Sequence, residues 1–591
     1  MSMEEYALYE REEPNLTGVE RTLYDAISRE EPWALVEEFA ELERVSGSED
    51  EKRAAEYIVD RLDSFGVPTD RYDPELFLSI PKDASLRATA PVDRTFDAVK
   101  TVSFSESGAV SGAVVHVDPP EMEDGALALN ATFDDLEADI DGKIVLVEAN
   151  YLSREMIQDI EDRGAIAIIG IQLHDREPHE GIATPIWGAV PEPDRTERMP
   201  GIIVTNVSKT VGDELRELAT DGLEVELSAD APKQWRDCPV VVSRIPGEAD
   251  PDDDDFVLLH GHYDSWHYGV TDNATGDAGL LELARVFNEH RDELSRDLWV
   301  AWWPAHSTGR YAGSTWFATE FAHTLDERCV AHVNMDSPGA KDATEFTDMS
   351  CWMQEGDDLC QSAIDDVCGK DATQQRYHRA GDASFLNLGI TGLFMLSSNI
   401  PKEVREARGY HPIGGSGGNS NAWHLTTDTL DKADPDVLVR DIRVYAIVLA
   451  RLLRAEVLPL DHRATVAEHQ RIVEEYAEAT EFDLSVVETH LNDLAAEIET
   501  FYAAVEAGET PPATANETIK QLSRQLVRLN YVTEGRFEQD PALGRPPYPR
   551  LARVTVLDEL DGDDKRFLET HLRRARNAVV ADLKAATDLL G

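Results

Sequence analysis

Short, largely apolar runs along the first three quarters of the chain predict buried β-strands. The runs lie at residues 144–147, 165–171, 201–204, 256–259, 298–303, 330–335 and 391–396. Apolar residues recur at helical spacing between several of these runs, most clearly from Leu280 to Phe287. Strands that alternate with helices predict an α/β fold with a mostly parallel sheet and helices on both faces. Such a sheet binds its ligands beyond the carboxyl ends of its strands.

Helical periodicity without strands is found towards both ends of the chain. Near the start, apolar residues at 55, 58, 62 and 65 predict a helix that ends at Gly66. Towards the other end, long apolar stripes predict a helical bundle whose stripes form its core or a subunit contact. The stripes consist of Leu484, Val487, Leu491, Leu494, Ile498, Phe501 and Val505, and of Leu568, Leu572, Ala575 and Val579.

The succession of patterns divides the 591 residues into three structural parts. Residues 30–97 and 236–456 are predicted to form the main α/β domain. Residues 98–235, which carry three short strand runs and the helical pattern at 211–218, are predicted to form a small α/β domain inserted into it. Residues 457–591 are predicted to form the helical domain.

The charge balance is strongly acidic, with 115 Asp and Glu against 55 Lys and Arg and a net charge of −60. The acidic residues alternate with well-patterned apolar positions, so they indicate a solvated acidic surface rather than a disordered chain. Such a surface suits a high-salt, halophilic cytoplasm. Nucleic acid is not an expected partner, because no basic stripe is present to bind phosphates.

The termini, hydropathy and cysteines bear on where the protein works. The first residues contain no basic and apolar signal pattern, and no apolar run approaches the roughly 20 residues of a membrane span. The five cysteines include no CxxC pair, which favours a reducing compartment over a disulfide framework. We therefore expect a cytoplasmic protein that does not enter a membrane.

Polar residues with metal-binding chemistry follow several predicted strands. His262 and Asp264 follow the run at 256–259, Asp272 lies at the start of the next helix, and Asp336 follows the run at 330–335. His424 lies after a glycine-rich stretch. Each residue alone is typical of a cap or a solvated group. Together, two imidazoles and two carboxylates at one sheet edge suit zinc or a similar divalent ion, with Asp264 accepting the second ring N–H of His262.

The spacing of these residues resembles that of the co-catalytic zinc aminopeptidase family, which includes glutamate carboxypeptidase II and the non-catalytic transferrin receptor. Three motifs carry the resemblance: His262-x-Asp264-Ser-Trp followed by Asp272-Asn-x-x-Gly, then Asn-x-Asp336, then His424-x-Thr-x-Asp-Thr-x-Asp. The inserted part resembles a protease-associated domain, most clearly at residues 141–147. Residues 535–553 and the helices around them resemble the dimerisation-type domain of the transferrin receptor branch, which implies a homodimer.

The resemblance implies a dinuclear zinc site and a peptidase activity. His262 and Asp336 would bind one ion, His424 the other, and Asp272 would bridge them. The ions would polarise the scissile carbonyl of a short peptide, cleaved at its amino-terminal bond. One ion, or manganese or cobalt in place of zinc, is an alternative that the same ligands permit.

The family also uses an adjacent Glu-Glu pair, as general base and as metal ligand, and this pair is missing. Residues 302–314 read WWPAHSTGRYAGS, so the two positions fall on His306 and Ser307 or on Ser307 and Thr308. Imidazole can serve as ligand or base, so His306 is predicted to replace one glutamate. The alternatives are a mononuclear site of altered chemistry, or a non-catalytic dimeric binding protein. Arg310 is either a surface arginine or a group that holds a substrate carboxylate.

Overall fold

The structure is a computed structural model. It describes residues 13–118, 138–149, 152–172, 177–188, 199–247, 255–347, 350–394, 398–410 and 421–591. The strands in these ranges are β1 (Thr69–Tyr72), β2 (Glu75–Ser79), β3 (Ala84–Ala90), β4 (Arg94–Phe96), β5 (Val99–Thr101), β6 (Gly108–Val117), β7 (Ile144–Glu148), β8 (Ala167–Ile171), β9 (Ile203–Val207), β10 (Glu224–Ala229), β11 (Lys233–Asp237), β12 (Val240–Ile245), β13 (Phe256–His262), β14 (Asp297–Trp303), β15 (Cys329–Asn334) and β16 (Thr391–Leu393).

The helices in the same ranges are distributed along the whole chain. They are α1 (Gly18–Ala26), α2 (Glu30–Phe39), α3 (Glu49–Phe65), α4 (Arg154–Asp162), α5 (Lys209–Ala219), α6 (Thr275–Glu289), α7 (Ala312–Glu320), α8 (Ala322–Arg328), α9 (Asp357–Cys368), α10 (Lys402–Ala407), α11 (Pro435–Arg454), α12 (His462–Glu478), α13 (Ser485–Glu506), α14 (Pro512–Tyr531) and α15 (Gly562–Asp588). None of them has the length and apolarity that crossing a membrane requires.

The main sheet has the order β1-β12-β14-β13-β15-β16. The four strands β14, β13, β15 and β16 run parallel, and β12 and β1 add an antiparallel edge. Successive residues of β13 face opposite sides of the sheet, so Val257 and Leu259 join one core while Phe256 and Leu258 join the other. A strand buried on both faces reads as a continuous apolar run, which is why the sequence reveals it.

Helices cover both faces of this sheet. Apolar residues of α2, α3, α6 and α11 pack on the first face, and those of α7 and α8 pack on the second. Helix α3 begins at the N-cap Ser48, whose hydroxyl accepts from the Glu51 amide, and ends at Gly66 with a φ of 70°. The predicted α/β fold, with a mostly parallel sheet and helices on both faces, is confirmed.

The second sheet has the order β4-β3-β10-β6-β7-β8-β9-β5, with β6 to β9 parallel. It begins at residue 84, so the predicted boundary at residue 98 places β3 and β4 on the wrong side. Strand β3 alternates buried Leu86 and Ala88 with exposed residues and pairs with β10. A short strand that buries only every second residue is difficult to recognise in a sequence. The sheet to which β3 belongs is evident only from its pairing with β10.

The end of the chain is helical, with α12, α13, α14 and α15 packed on one another. The stripes predicted as core or subunit contact supply buried side chains to this packing, among them Leu491, Leu494, Leu572 and Val579. Of the strand predicted at 391–396, the structure has Thr391–Leu393, and Leu396 lies outside the described residues. The helical nature of residues 457–591 follows from the apolar period that the sequence shows.

Candidate functional site

Three parallel strands bring the predicted site residues to one edge of the main sheet. His262 ends β13, the segment with His306 follows β14, and Asp336 follows β15. These strands are direct neighbours in register, so their carboxyl ends open onto the same space. Ligand atoms of His262, His306 and Asp336 all lie within 4.8 Å of one another.

His262 is held by one ring nitrogen and faces the site with the other. Its Nδ1 lies 3.0 Å from the Asp264 carbonyl oxygen, and its Nε2 lies 3.1 Å from Asp272 Oδ1. Asp336 Oδ2 is 3.9 Å from the same Nε2. An imidazole whose Nδ1 donates to a carbonyl presents Nε2 as a lone pair, the form that binds a metal.

His424 repeats this arrangement on the other side of Asp272. Its Nδ1 lies 3.0 Å from the Glu180 carbonyl oxygen, and its Nε2 lies 3.5 Å from Asp272 Oδ2. Each carboxylate oxygen of Asp272 therefore faces the Nε2 atom of a different histidine. This is the donor arrangement that a carboxylate bridging two ions requires.

The backbone around Asp272 is fixed by two buried polar side chains. Asn273 Nδ2 donates to the carbonyl oxygens of His262 and Met335, each at 3.1 Å. Asp428 accepts from the Thr271 hydroxyl at 2.8 Å and from the Thr271 and Asp272 amides at 3.1 Å. These bonds tie β13, the end of β15 and the His424 segment to one another, so the site residues are positioned by the fold.

We expect Gly261→Ala to disturb this junction, because a Cβ at Gly261 would lie 2.6 Å from the Met335 carbonyl oxygen and 3.2 Å from Asn273 Nδ2. The neighbouring backbone cannot give way easily, so unfolding should become easier by about 1–3 kcal/mol. Urea unfolding measures the change. Gly112→Ala is the matched control, since its nearest neighbour is the flexible tip of Ile166 at 3.2 Å. Equal midpoints for both variants would contradict the expectation.

His306 stacks on His262, with ring centroids 3.8 Å apart and planes 21° apart. Its Nδ1 lies 2.7 Å from Asp382 Oδ2, and Asp382 is fully buried. Asp382 Oδ1 also accepts from the Ser314 hydroxyl at 2.6 Å. Sequence reasoning did not find Asp382, because it lies 76 positions from His306 outside any periodic element. A buried carboxylate on Nδ1 leaves Nε2 as the free nitrogen of His306.

Asp264 has a different partner from the one the sequence predicts. Its carboxylate is 3.5 Å from His262 Nδ1, which lies closer to the Asp264 carbonyl oxygen. The carboxylate instead accepts from the His306 amide at 3.1 Å and from the Ser46 hydroxyl at 2.9 Å. The Thr308 hydroxyl in turn donates to Ser46 Oγ at 2.8 Å. Asp264 therefore anchors the segment that carries His306.

The backbone at this edge is unusually strained. Five residues that are not glycine have a left-handed φ: Ala305 at 60°, Arg310 at 49°, Tyr311 at 67°, Ser337 at 55° and His424 at 55°. Each such residue costs on the order of 1–3 kcal/mol and persists where the surrounding structure dictates it. Strain of this kind clusters at functional sites, and three of these residues belong to the segment that contains His306.

Burial and mutual contacts shift the protonation of the site residues. Burial raises the pKa of Asp336 to about 6 and lowers the pKa of His424 to about 4. Burial opposes a charge on His262, but its contacts with Asp264 and Asp272 hold its pKa well above the usual value. The site therefore combines surplus carboxylate charge with a proton on His262 that a bound cation would displace.

The donor set fits zinc. Two imidazole nitrogens and the carboxylates of Asp272 and Asp336 are typical zinc ligands. The donors divide into two half-sites that share Asp272. The first contains His262 and Asp336, and the second contains His424. Within the described residues, the second half-site has one protein donor fewer than the first.

The inserted sheet region also reaches the site. Glu180 Oε1 lies 2.7 Å from Lys100 Nζ and 3.1 Å from His267 Nε2. Burial opposes a charge on Glu180, but these two partners hold its pKa below the usual value. Because the Glu180 carbonyl oxygen also faces His424, this region fixes one of the predicted metal ligands.

The sequence model described as peptidase family M28 matches residues 240–448, the segment that contains every predicted site residue. The protein carries an M28 peptidase domain. The resemblance to co-catalytic zinc aminopeptidases is thereby confirmed, and the family implies zinc as the metal of the M28 site.

The curated relatives align with only part of this chain. Aminopeptidase NAALADL1 of Mus musculus is 35% identical over 127 residues, which cover 21% of this chain and 17% of the relative. The glutamate carboxypeptidase 2 homolog of Caenorhabditis elegans is 36% identical over 100 residues, which cover 16% of this chain and 13% of the relative. The alignments thus span about a sixth or less of these relatives.

Solved structures share the fold over a longer stretch. An aminopeptidase from Aneurinibacillus sp. strain AM-1 superposes with a TM-score of 0.55 at 20% identity, over 74% of this chain and 96% of the other. A peptidase M28 precursor from Shewanella amazonensis SB2B gives 0.53 at 19% identity, over 73% of this chain and 96% of the other. Both likenesses concern the fold.

Proposed function

We propose that this M28 protein is an aminopeptidase that hydrolyses the amino-terminal bond of short peptides with two zinc ions. The observation that supports it is the convergence of His262 and His424 on opposite oxygens of Asp272, beside a histidine–carboxylate pair. The names of the similar aminopeptidases point to the same reaction. The proposal assigns the role of the family's general-base glutamate to His306 and leaves the ligand glutamate without a replacement.

The residues that would hold the metal are those of the two half-sites. His262, Asp336 and Asp272 would hold the first ion, and His424 and Asp272 the second. Zinc bound there would act as a Lewis acid on the scissile carbonyl and on the attacking water. Since the second half-site has fewer protein donors, we propose that its ion is the weaker bound.

His306 is proposed as the general base. His306 stacks on His262, and Asp382 holds its Nδ1, which favours a role beside the metal ligands rather than among them. Nε2 of His306 would accept the proton of the water while Asp382 Oδ2 holds Nδ1–H. The side chain of His306 is 14% exposed, against 4% for His262, so water and substrate can reach it.

The carboxylates that surround the site support an amino-terminal preference. Four buried carboxylates surround His262 and His306: those of Asp264, Asp272, Asp336 and Asp382. Their surplus negative charge would attract the ammonium group of a peptide. The inserted region, proposed to be a protease-associated domain, contributes Glu180, whose carbonyl oxygen faces His424, and Trp187, which packs on Tyr311 beside His306.

The test is zinc titration combined with peptide hydrolysis. After metal removal with a chelator, we expect one zinc to bind tightly and a second to bind only in excess, as measured by calorimetry and elemental analysis. The rate of hydrolysis of a leucine dipeptide should rise as the second zinc ion binds. A protein that binds two zinc ions and cleaves no peptide of a mixed library would refute the peptidase and favour the binding protein.

The homodimer, the cytoplasmic location and the high-salt setting also stand as proposals. The net charge of −60 supports the high-salt setting. Phe567 on α15, with 73% of its surface exposed, supports a contact beyond the helical bundle. The stripes of α13 and α15 pack inside the chain, so they do not supply that contact.

A further inference from the structure

Arg310 is a buried arginine whose guanidinium is not paired. The residue is 5% exposed, and its Nε is buried without a hydrogen-bond partner. Across the described part of the chain, its side chain has neither a hydrogen bond nor an ion pair, and its guanidinium lies over the Tyr311 ring. The alternative of a surface arginine is therefore wrong.

The guanidinium lies close to the catalytic residues proposed above. Its carbon is 4.5 Å from the centre of the Tyr311 ring, and that ring meets the His306 ring edge-on at 4.8 Å. The two separations add up to 9.3 Å, which is the upper limit for the distance between the guanidinium carbon and the His306 ring. Arg310 and His306 thus contact the same ring, that of Tyr311.

A second buried arginine lies on the other side of the same aromatic stack. Trp187 packs on Tyr311 at 4.2 Å, and Arg379 lies over the Trp187 ring at 4.2 Å. Arg379 donates to the carbonyl oxygens of Asp540 and Pro541, while its Nη1 is buried without a partner. The inserted region, the M28 domain and the helical region each contribute to this cluster.

The electrostatics of the cluster favour an anion. Burial and the nearby charges of Arg545 and, to a smaller extent, Arg310 lower the pKa of Arg379 to about 10, although Asp540 opposes this shift. Burial raises the pKa of the nearby Glu155 carboxyl, and the Arg310 charge opposes this only weakly. Two like charges with unused N–H groups lose solvation that neighbouring acids restore only in part.

We propose that Arg310 binds a carboxylate of the substrate, on the leaving-group side of the cleaved bond. This inference rests on the proposed peptidase function. The carboxylate of a dipeptide lies about one residue, 3.8 Å, beyond the cleaved bond. The guanidinium lies at most 9.3 Å from the ring of the proposed base, which is a separation that a dipeptide bound beside His306 can span. Arginine binds carboxylates through two parallel N–H bonds, for which the unpaired guanidinium has free donors. The substrate class is then dipeptides with a free carboxyl end.

The test compares Leu-Leu with its carboxyl-terminal amide. For zinc-loaded protein, kcat/KM should be about 10²-fold higher for the free acid, the value of a charge-assisted pair, and Arg310→Met should abolish the difference. In protein treated with a chelator, calorimetry should show the same preference in binding, again lost in Arg310→Met. Arg310→Lys should retain part of it.

Thermal unfolding separates this role from a structural one. Arg310→Met should raise the unfolding temperature, because it removes a buried charge that has no partner. Arg379→Met is the matched control and should lower it, because two carbonyl groups lose their donor. A lower unfolding temperature for Arg310→Met would indicate a structural arginine and overturn the inference.

The outcomes also separate this inference from the peptidase proposal. Equal hydrolysis of acid and amide overturns the role of Arg310 and leaves the peptidase standing. Absence of hydrolysis together with Arg310-dependent binding of the acid supports the carboxylate site and overturns the peptidase. If the protein neither hydrolyses the peptides nor binds the acid in preference to the amide, both the peptidase proposal and the role of Arg310 are overturned.

Discussion

Asp272→Asn is expected to remove both metal ions and to reduce peptide hydrolysis by about 10³-fold or more. Each oxygen of the Asp272 carboxylate faces the Nε2 of one histidine, at 3.1 Å for His262 and 3.5 Å for His424. Asparagine has the same shape but lacks the charge, and its NH2 group would face one of these nitrogens. Losing several kcal/mol of stabilisation from the metal corresponds to this loss of rate.

The measurement is zinc content by elemental analysis, together with kcat/KM. Asp297→Asn is the matched control, because Asp297 is also buried but begins β14 at the opposite end of the sheet. Its carboxylate accepts from the Gly247 amide at 2.9 Å, so its loss affects stability and leaves the metal in place. Full zinc content in Asp272→Asn would show that Asp272 does not bridge.

The sequence predicts the central sheet well because its strands are buried on both faces. β13, β14 and β15 are mostly apolar, and the residues at or just beyond their ends carry the metal-binding chemistry. Parallel neighbours share one carboxyl edge, so the convergence of His262, Asp336 and the His306 segment follows from the pattern alone. The helices α13 and α15 are equally easy to predict, because their apolar positions repeat at helical spacing over many turns.

Short, half-exposed elements escape the same reasoning. Strands β1 to β4 are three to seven residues long and carry exposed positions, so their period is too brief to separate from a loop. The assignment of β3 and β4 to the second sheet depends on pairing with β10, more than 130 residues away. Long-range pairing of this kind leaves no local mark in the sequence.

The partners of the site residues were the least predictable part. Asp382 meets His306 across 76 positions, and for Arg310 the sequence favoured the surface although the residue is buried. Sequence motifs identify residue types at fixed spacing, whereas these contacts depend on how loops after different strands fold over one another. A further example is His262, whose Nδ1 faces the backbone carbonyl of Asp264 rather than its carboxylate. Every residue has a backbone carbonyl, so the sequence cannot indicate which one makes such a contact.

His306→Ala is expected to reduce kcat by about 10²–10⁴-fold, the usual contribution of a general base, while zinc content stays unchanged. The reason is that Nε2 of His306 is the free nitrogen beside the metal ligands, while Asp382 Oδ2 holds the ring through Nδ1 at 2.7 Å. Elemental analysis and steady-state kinetics give the two values. His323→Ala, in α8 and against Phe537, is the matched control for loss of an imidazole.

Asp382→Asn tests whether the two residues act as one unit. An amide cannot supply the negative charge that stabilises the protonated imidazole during proton transfer, so kcat should fall while KM changes little. In the double variant His306→Ala/Asp382→Asn, the second substitution should cost almost nothing further, because Asp382 acts only through His306. Additive losses would assign Asp382 a separate role. Loss of one zinc from His306→Ala would instead make His306 a metal ligand, and the base would have to be sought elsewhere in the site.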